Sequence, residues 1–307
     1  MMKIREIIGD RELARVFVAE LSDGAEIEFV ESVQPPKSLA EKWVLIISTL
    51  KGCPVGCPIC DAGGHYKGKL TAEEIFAQIE TLIRDRFPCG DVPTKRLKIQ
   101  FARMGDPALN DAVNEVLDFL PERLSGIPLQ PSISTVAPVG REKFFDRLLE
   151  LKNRLYSGGS FQMQFSVHTT DMDCRRRLVP INTWNLSQMA AYGDRFVVPG
   201  DLKLSLNFAL AKNAPFDPEI LARTFSPERF LIKLTPINPT RSAARSGLLG
   251  RVDPLHPEIA AALSERLNTL GFETIVSIGE TAENEIGSNC GMYVNETERQ
   301  SIDLPTA

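Results

Sequence analysis

The stretch Trp43-Val44-Leu45-Ile46-Ile47-Ser48-Thr49-Leu50-Lys51-Gly52-Cys53-Pro54-Val55-Gly56-Cys57-Pro58-Ile59-Cys60 decides how the rest of the chain is read. Its first half, WVLIIST, is apolar and β-branched with no polar alternation, the pattern of a strand buried on both faces in a parallel sheet. Its second half places three thiols in CxxxCxxC spacing directly after that strand. In barrel-like α/β folds the working residues sit at the carboxyl ends of strands and in the loops that follow.

Strands of the same kind recur downstream. RLKIQFA (96–102), LQPSIST (129–135), FQMQFSVH (161–168), LKLSLNFAL (202–210) and RFLIKLTP (229–236) are enriched in β-branched and aromatic residues, and TIVSIG (274–279) is a further candidate. Helical patterns fill the gaps. Thr71 and Glu74 form a capping box ahead of Ile75, Ile79, Leu82 and Ile83. Val113, Val116, Leu117 and Leu120 make a second stripe, and Phe144, Leu148, Leu151 and Leu155 a third. Ala260, Leu263, Leu267 and Leu270 make another, closed by Gly271 at a C′ position. Alternating strands and helices imply right-handed parallel βαβ units. Six such strands are too few for a closed eight-stranded barrel, so the expected fold is α/β, a partial (β/α)6 barrel. Before it, VFVAELSDGAEIEFVESV reads as a β-hairpin turning at Asp23-Gly24, followed by a Pro35-Pro36 connector. The expected boundaries are a hairpin extension over 1–40, a barrel over 41–285 and a tail over 286–307 carrying Cys290.

The 307 residues carry 35 Lys+Arg against 40 Asp+Glu, a net charge of -5, which weighs against a dedicated binder of nucleic-acid duplexes. No apolar run reaches the roughly 18 residues of a membrane span. The N-terminus lacks a signal-peptide core, and a cytoplasmic location is the simplest expectation. Six cysteines in that compartment are reduced, so their clustering points to metal or catalysis rather than disulfides.

Three thiolates on one short loop can hold three irons of a 4Fe–4S cubane and leave the fourth open to a substrate or cofactor. Gly52 and Gly56 let the backbone wrap closely around such a group. The competing reading is a zinc site completed by His65 or a distant cysteine, although no second short ligand turn accompanies the first.

CxxxCxxC after the first strand of a partial barrel resembles the radical S-adenosylmethionine superfamily, with Ile59 where many members have an aromatic residue. The likeness extends to the RlmN/Cfr family of rRNA adenine methyltransferases. Met104-Gly105-Asp106-Pro107-Ala108-Leu109-Asn110 resembles its GxGEPxxN turn, with Asp106 one methylene shorter than the usual Glu. Ser132-Ile133-Ser134-Thr135 resembles its LST segment, Ser166-Val167-His168 its SLH segment, and Leu234-Thr235-Pro236-Ile237-Asn238-Pro239 its LIPWNP segment. Ser288-Asn289-Cys290-Gly291 resembles its C-terminal ACG segment. The resemblance implies a 4Fe–4S cluster on Cys53, Cys57 and Cys60. It implies S-adenosylmethionine held by Gly105, Asp106, Ser134, Ser166, Val167, His168 and Asn238. Cys290 is then methylated and carries the methyl group to substrate, and Glu31 matches a proposed proton acceptor. Each of these also has a plainer reading: a Gly-Asp-Pro turn, a buried imidazole at His168, an Asn-Pro turn, a small buried residue at Cys290, a solvated strand carboxylate at Glu31. The same motifs in family order at successive strand ends are more specific than any one of them.

Two features depart from the family. Its resolving cysteine lies seven residues before the first cluster cysteine, where this chain has Ile46. Its N-terminal RNA-engaging domain has no counterpart in the expected layout. Basic residues that could meet a polyanion or a smaller acidic ligand are Arg175, Arg176, Arg177, Arg241, Arg245 and the HYKGK stretch. The first expectation is therefore a methyltransferase acting on an sp2 carbon of a small-molecule or nucleotide-like substrate, with RNA disfavoured and an external electron donor such as flavodoxin or ferredoxin. The second is a radical oxidoreductase or lyase that abstracts hydrogen without methyl transfer. The third is a non-enzymatic binding protein with a structural zinc or a vestigial cluster.

Overall fold

The computed structural model describes residues 2–279, 281–288 and 292–294. The chain divides into two compact units, one of residues 1–56, 60–129 and 280–307, the other of 57–59 and 130–279.

In the first unit three antiparallel strands precede the parallel ones. These are β1 (Lys3–Asp10), β2 (Ala14–Glu20) and β3 (Glu26–Ser32), with β2 and β3 joined by the expected Asp23-Gly24 turn. β1 was not expected: its residues are mostly exposed and lack an apolar face, so only its pairing with β2 makes it a strand. β3 runs antiparallel to β4 (Trp43–Ile47), pairing Val30 with Ile46. After β4 comes a small separate hairpin, β5 (Leu50–Cys53) and β6 (Gly64–Lys69), with Cys53 opposite Gly64. The cysteine motif is the excursion between its two strands. The charged HYKGK stretch is thus β6, a strand that carries one side of that excursion.

Helix α1 (Ala72–Arg86) starts at the Thr71–Glu74 capping box, both halves of which are made. It buries Ile75, Phe76, Ile79, Leu82 and Ile83, each contributing roughly 1.5–3 kcal/mol. β7 (Leu97–Phe101) then pairs parallel with β4, completing a βαβ unit, and α2 (Ala112–Arg123) follows a short 3₁₀ turn at Pro107–Leu109.

The second unit continues the alternation. β8 (Leu129–Thr135), α3 (Glu142–Leu155), β9 (Gln162–Ser166), α4 (Met172–Leu178), α5 (Leu186–Phe196), β10 (Leu204–Ala209), α6 (Pro218–Thr224), β11 (Phe230–Thr235), α7 (Arg241–Arg245), α8 (Pro257–Thr269) and β12 (Thr274–Val276) follow in order. β8 to β12 pair in sequence, and every pairing is parallel. One face of β10 is apolar, with Leu204, Leu206 and Phe208 buried, while the other presents Ser205 and Asn207. That polar face is the one available to a ligand. Helix α9 (Thr281–Ile286) belongs to the first unit. The α/β class and the parallel strand order follow the sequence expectation. No described helix is long and apolar enough to cross a membrane.

Candidate active site

In the first unit the candidate residues lie on the loop after β4 and the turn after β7. Gly52 has φ +77, and a Cβ there would lie 2.6 Å from the His65 carbonyl oxygen, so the two strands of the small hairpin approach closely only with glycine. Cys53, Cys57 and Cys60 carry free thiols. Burial pushes the Cys53 thiol up. The Val55 amide pulls the other way, the Asp106 carboxylate adds to the rise, and the Asp106 and Gly56 amides again oppose it. Backbone amides thus already point at the Cys53 sulfur, as they would at a metal-bound thiolate or an inorganic sulfide. Among the described residues no three His, Cys, Asp or Glu side chains converge on one ion-sized point. Three soft thiols, with amides directed at the Cys53 sulfur, fit iron–sulfur ligation.

The Met104–Asp106 turn is anchored from several sides. The Met104 amide donates to Ser48 Oγ at 3.0 Å, and its carbonyl accepts from the amides of Thr49 and Leu50 at 2.9 and 3.0 Å. Gly105 has φ +88, and a Cβ there would run into the Leu50 side chain at 2.4 Å. Asp106 is buried and caps the 3₁₀ turn, its Oδ1 accepting from the Ala108 amide at 2.9 Å. Asn110 is structural: its Nδ2 donates to the carbonyls of Thr49 and Leu70 at 2.8 and 2.7 Å.

Directly before this turn stands Arg103, 1% exposed and paired at 2.6 Å with the fully buried Glu28. Its guanidinium also donates to the carbonyls of Ser288 and Gly287, both at 2.9 Å. The other Glu28 oxygen accepts from the Val294 amide at 2.7 Å. One buried ion pair therefore ties down Ser288 and Val294. Cys290 lies between them in sequence, outside the described residues. Glu31 is also buried. It accepts from Arg15 Nε at 2.6 Å, from Arg86 at 3.2 Å and from Trp43 Nε1 at 3.1 Å. To accept a proton in a reaction it would first have to release these partners.

In the second unit the candidate residues lie at the ends of β8, β9 and β11. Ser134 and Ser166 sit in the last two residues of β8 and β9, and Val167 and His168 donate their backbone amides to the Asn207 carbonyl at 2.8 and 3.2 Å. His168 has φ +68, a strained conformation for a residue with a Cβ. Its Nδ1 accepts from the Ala209 amide at 3.2 Å. Burial, with the charge of Arg175 adding to it, lowers its pKa to about 3. The ring is therefore neutral at ordinary pH, with its proton on Nε2 available for donation.

Arg175, grouped in the sequence with possible polyanion contacts, does something else. It is fully buried, and its guanidinium donates to the carbonyls of Ser166 at 2.7 Å, Val167 at 2.5 Å and Val136 at 2.9 Å. It holds the Ser166–His168 turn from behind. Its neighbour Arg176 is exposed and pairs with Asp173. Asn238 stands after β11, and two residues on Thr240 caps α7 and donates to the Ile59 carbonyl at 3.1 Å, tying the cysteine loop to the end of the sixth barrel strand. A cavity of about 410 Å³ opens beside the same loop. Pro58, Cys174, Arg177, Leu178 and Lys212 are among its walls.

Sequence reasoning did not find Arg103, Arg175 or Thr240. Arginine reads as surface in a sequence, and Thr240 sits inside an ordinary cap.

The chain is 26% identical over 326 residues to a "Probable dual-specificity RNA methyltransferase RlmN" of Acidothermus cellulolyticus, covering 96% of this chain and 72% of that one. It is 23% identical to the protein of that name from Thermobifida fusca, covering 94% and 76%. Its fold matches a radical SAM methyltransferase from Sphaerobacter thermophilus with a TM-score of 0.72 at 22% identity, over 94% of this chain and 80% of that one. A spore photoproduct lyase matches less fully, at TM-score 0.51 and 14% identity over 76% of each chain. No family model matches the chain. Likeness over nearly the whole length to proteins named as RlmN methyltransferases, and a fold shared with a radical SAM methyltransferase, bear out the resemblance drawn from the motifs.

Proposed function

We propose that the protein is a radical SAM methyltransferase that uses Cys290 to carry a methyl group to an sp2 carbon of a substrate other than rRNA. The observation that carries this reading is the buried Arg103–Glu28 pair, which fixes Ser288 and Val294 beside the Met104–Asp106 turn. Cys53, Cys57 and Cys60 would hold a 4Fe–4S cluster, which when bound supplies the electron for reductive cleavage of S-adenosylmethionine. Gly105 and Asp106 would meet the cofactor's ammonium, a charge-assisted contact for the carboxylate. Ser134, Ser166, Val167 and Asn238 would line the cofactor's other side, with His168 donating from Nε2. Cys290 is the nucleophile: as a thiolate it is a good group to be alkylated by a sulfonium. Arg177 and Lys212 on the cavity beside Pro58 suit a substrate with negative charge, such as a nucleotide-like small molecule. An external flavodoxin- or ferredoxin-type donor would provide electrons. The division into hairpin, barrel and tail at residues 40 and 285 belongs to the same reading.

Ile46 favours a second reading. It sits in β4 where the family's resolving cysteine is expected, and its side chain has no redox chemistry. Cys89 is exposed and Cys174 is buried on α4. Without a resolving thiol, a radical oxidoreductase or lyase acting by direct hydrogen abstraction becomes the alternative. One experiment separates the two. The protein is reconstituted anaerobically with iron and sulfide, incubated with methyl-labelled S-adenosylmethionine and analysed by mass spectrometry. Label on Cys290, absent in Cys290→Ala, is expected. An unlabelled Cys290 in protein that still forms 5′-deoxyadenosine would overturn the carrier role and leave the second reading.

A further inference from the structure

Buried cations in this protein are met by anions or carbonyls. Lys152 is paired with Asp201 at 2.5 Å and the Phe196 carbonyl at 2.7 Å, Lys51 with Asp23 at 2.5 Å, and Arg103 with Glu28. Lys233, half-buried, is different. It projects from the middle of β11 between Ile232 and Leu234, which face the core on the other side of the strand. Among the described residues its ammonium has no hydrogen bond or ion pair. Burial lowers its pKa from 10.5, with no anion raising it back.

Its surroundings are incomplete in the same way. Lys233 is the register partner of Asn207 on β10, and Asn207 is the partner of Ser166 on β9. Register partners on parallel strands point to the same face, so Ser166, Asn207 and Lys233 form one row across three strands. The row lies near the carboxyl ends, on the polar face of β10. Asn207 is 8% exposed, yet its Oδ1 is buried and accepts no hydrogen bond among the described residues. Buried polar atoms without partners are rare, and a half-buried ammonium beside one has no counter-charge among the described residues. The two in register mark a place that a ligand can complete.

We infer that Lys233 and Asn207 form a ligand subsite that takes an anionic oxygen, carboxylate or phosphate, on Lys233 and a neighbouring N–H or O–H donor on Asn207 Oδ1. The two sources of such a group are the carboxylate of the cofactor and a phosphate or carboxylate of the substrate. The inference rests on the radical SAM reading only for the first source and does not involve Cys290.

The test is calorimetric binding to the full-length reconstituted protein. The probes are S-adenosylmethionine, its decarboxylated analogue and adenosine monophosphate, each with wild type, Lys233→Met and Lys233→Arg. The expected result is that Lys233→Met weakens one anionic probe by about tenfold or more while Lys233→Arg keeps most of the affinity. Loss confined to S-adenosylmethionine and matched by the decarboxylated analogue with wild type assigns the cofactor carboxylate. Loss for adenosine monophosphate assigns the substrate side. Lys233→Met binding both anionic probes like the wild type overturns the inference, as does a wild type that binds neither probe. Asn207→Asp is an independent check if Lys233→Met does not fold. A carboxylate supplied in the register position should pair with Lys233, raise the melting temperature and exclude the anionic probe. Unchanged binding by Asn207→Asp overturns the inference as well. Iron and sulfide content and deoxyadenosine formation by the wild type report separately on the radical SAM reading.

Discussion

The turn after β7 and the turn after β9 are each braced by one buried arginine, but the two braces differ in what they hold. Arg103 sits beside Met104–Asp106, and its charge is met by the carboxylate of Glu28. Arg175 is reached from the helix after its turn and donates to the carbonyls of Ser166, Val167 and Val136 and to the Thr183 hydroxyl. The first brace is an ion pair that also fastens Gly287, Ser288 and Val294, and so serves two segments at once. The second is a fan of hydrogen bonds that joins the Ser166–Val167 turn to Val136 and Thr183. A buried ion pair is vulnerable because removing either partner strands the other, whereas a fan loses its contacts one acceptor at a time.

The largest effect should come from breaking the ion pair. Arg103→Met is expected to cost about 3–5 kcal/mol in equilibrium denaturation, because Glu28 is left buried and charged. Replacing both partners, as Arg103→Met with Glu28→Leu, should cost less than Arg103→Met alone, and a cost equal to or above it would contradict the pairing account. Arg175→Met should cost less, about 2–3 kcal/mol from the carbonyls left unsatisfied. Glu28→Leu should not relieve that loss, and relief would show that the two braces are coupled.

His168 sharpens the contrast, since its turn depends on a neutral ring. Nitrogen NMR should find the Nε2–H tautomer and no titration between pH 5 and 8. With its folded pKa lowered to about 3, the unfolded chain binds the proton first as pH falls. The stability from this site is therefore fully present above about pH 6.5 and is lost progressively as pH falls from there toward 3. His168→Asn should flatten that part of the stability profile; an unchanged slope would assign it to other groups. Arg176→Ala, adjacent to Arg175 but exposed, should change stability by no more than about 0.5 kcal/mol.

The strands were legible because they read either as an apolar run, as β4 does, or as alternation between a buried and a more polar face, as β7 and β9 do. LQPSIST matches β8 residue for residue, and the other runs differ from their strands by a few residues at the ends. β1 was not legible, because an exposed edge strand carries no apolar alternation and is defined by its partner. The β5–β6 hairpin was hidden for a related reason: Gly64 to Lys69 is short and charged, and its strand character comes from pairing with Leu50–Cys53. At the site, the turns were visible as motifs at strand ends. What holds them was not. Whether an arginine is buried among carbonyls, as Arg175 is, or exposed beside an aspartate, as Arg176 is, depends on contacts that adjacent positions in the sequence do not distinguish. Glu31 shows the same limit, since its network with Arg15, Arg86 and Trp43 joins three separate elements. The state of Lys233 depends on a strand 26 positions away in register, at Asn207.

Arg175 holds the turn through the main-chain oxygens of Ser166 and Val167. Every amino acid brings the same carbonyl, so the brace does not discriminate among side chains at 136, 166 or 167. Position 166, half-buried at the end of β9, can therefore change while the brace keeps its hold, whereas Val136 and Val167 are also fixed by core packing. The fold has thereby separated the scaffold of this part of the pocket from its chemistry, and a lineage or an engineer can retune what the turn recognises without rebuilding it.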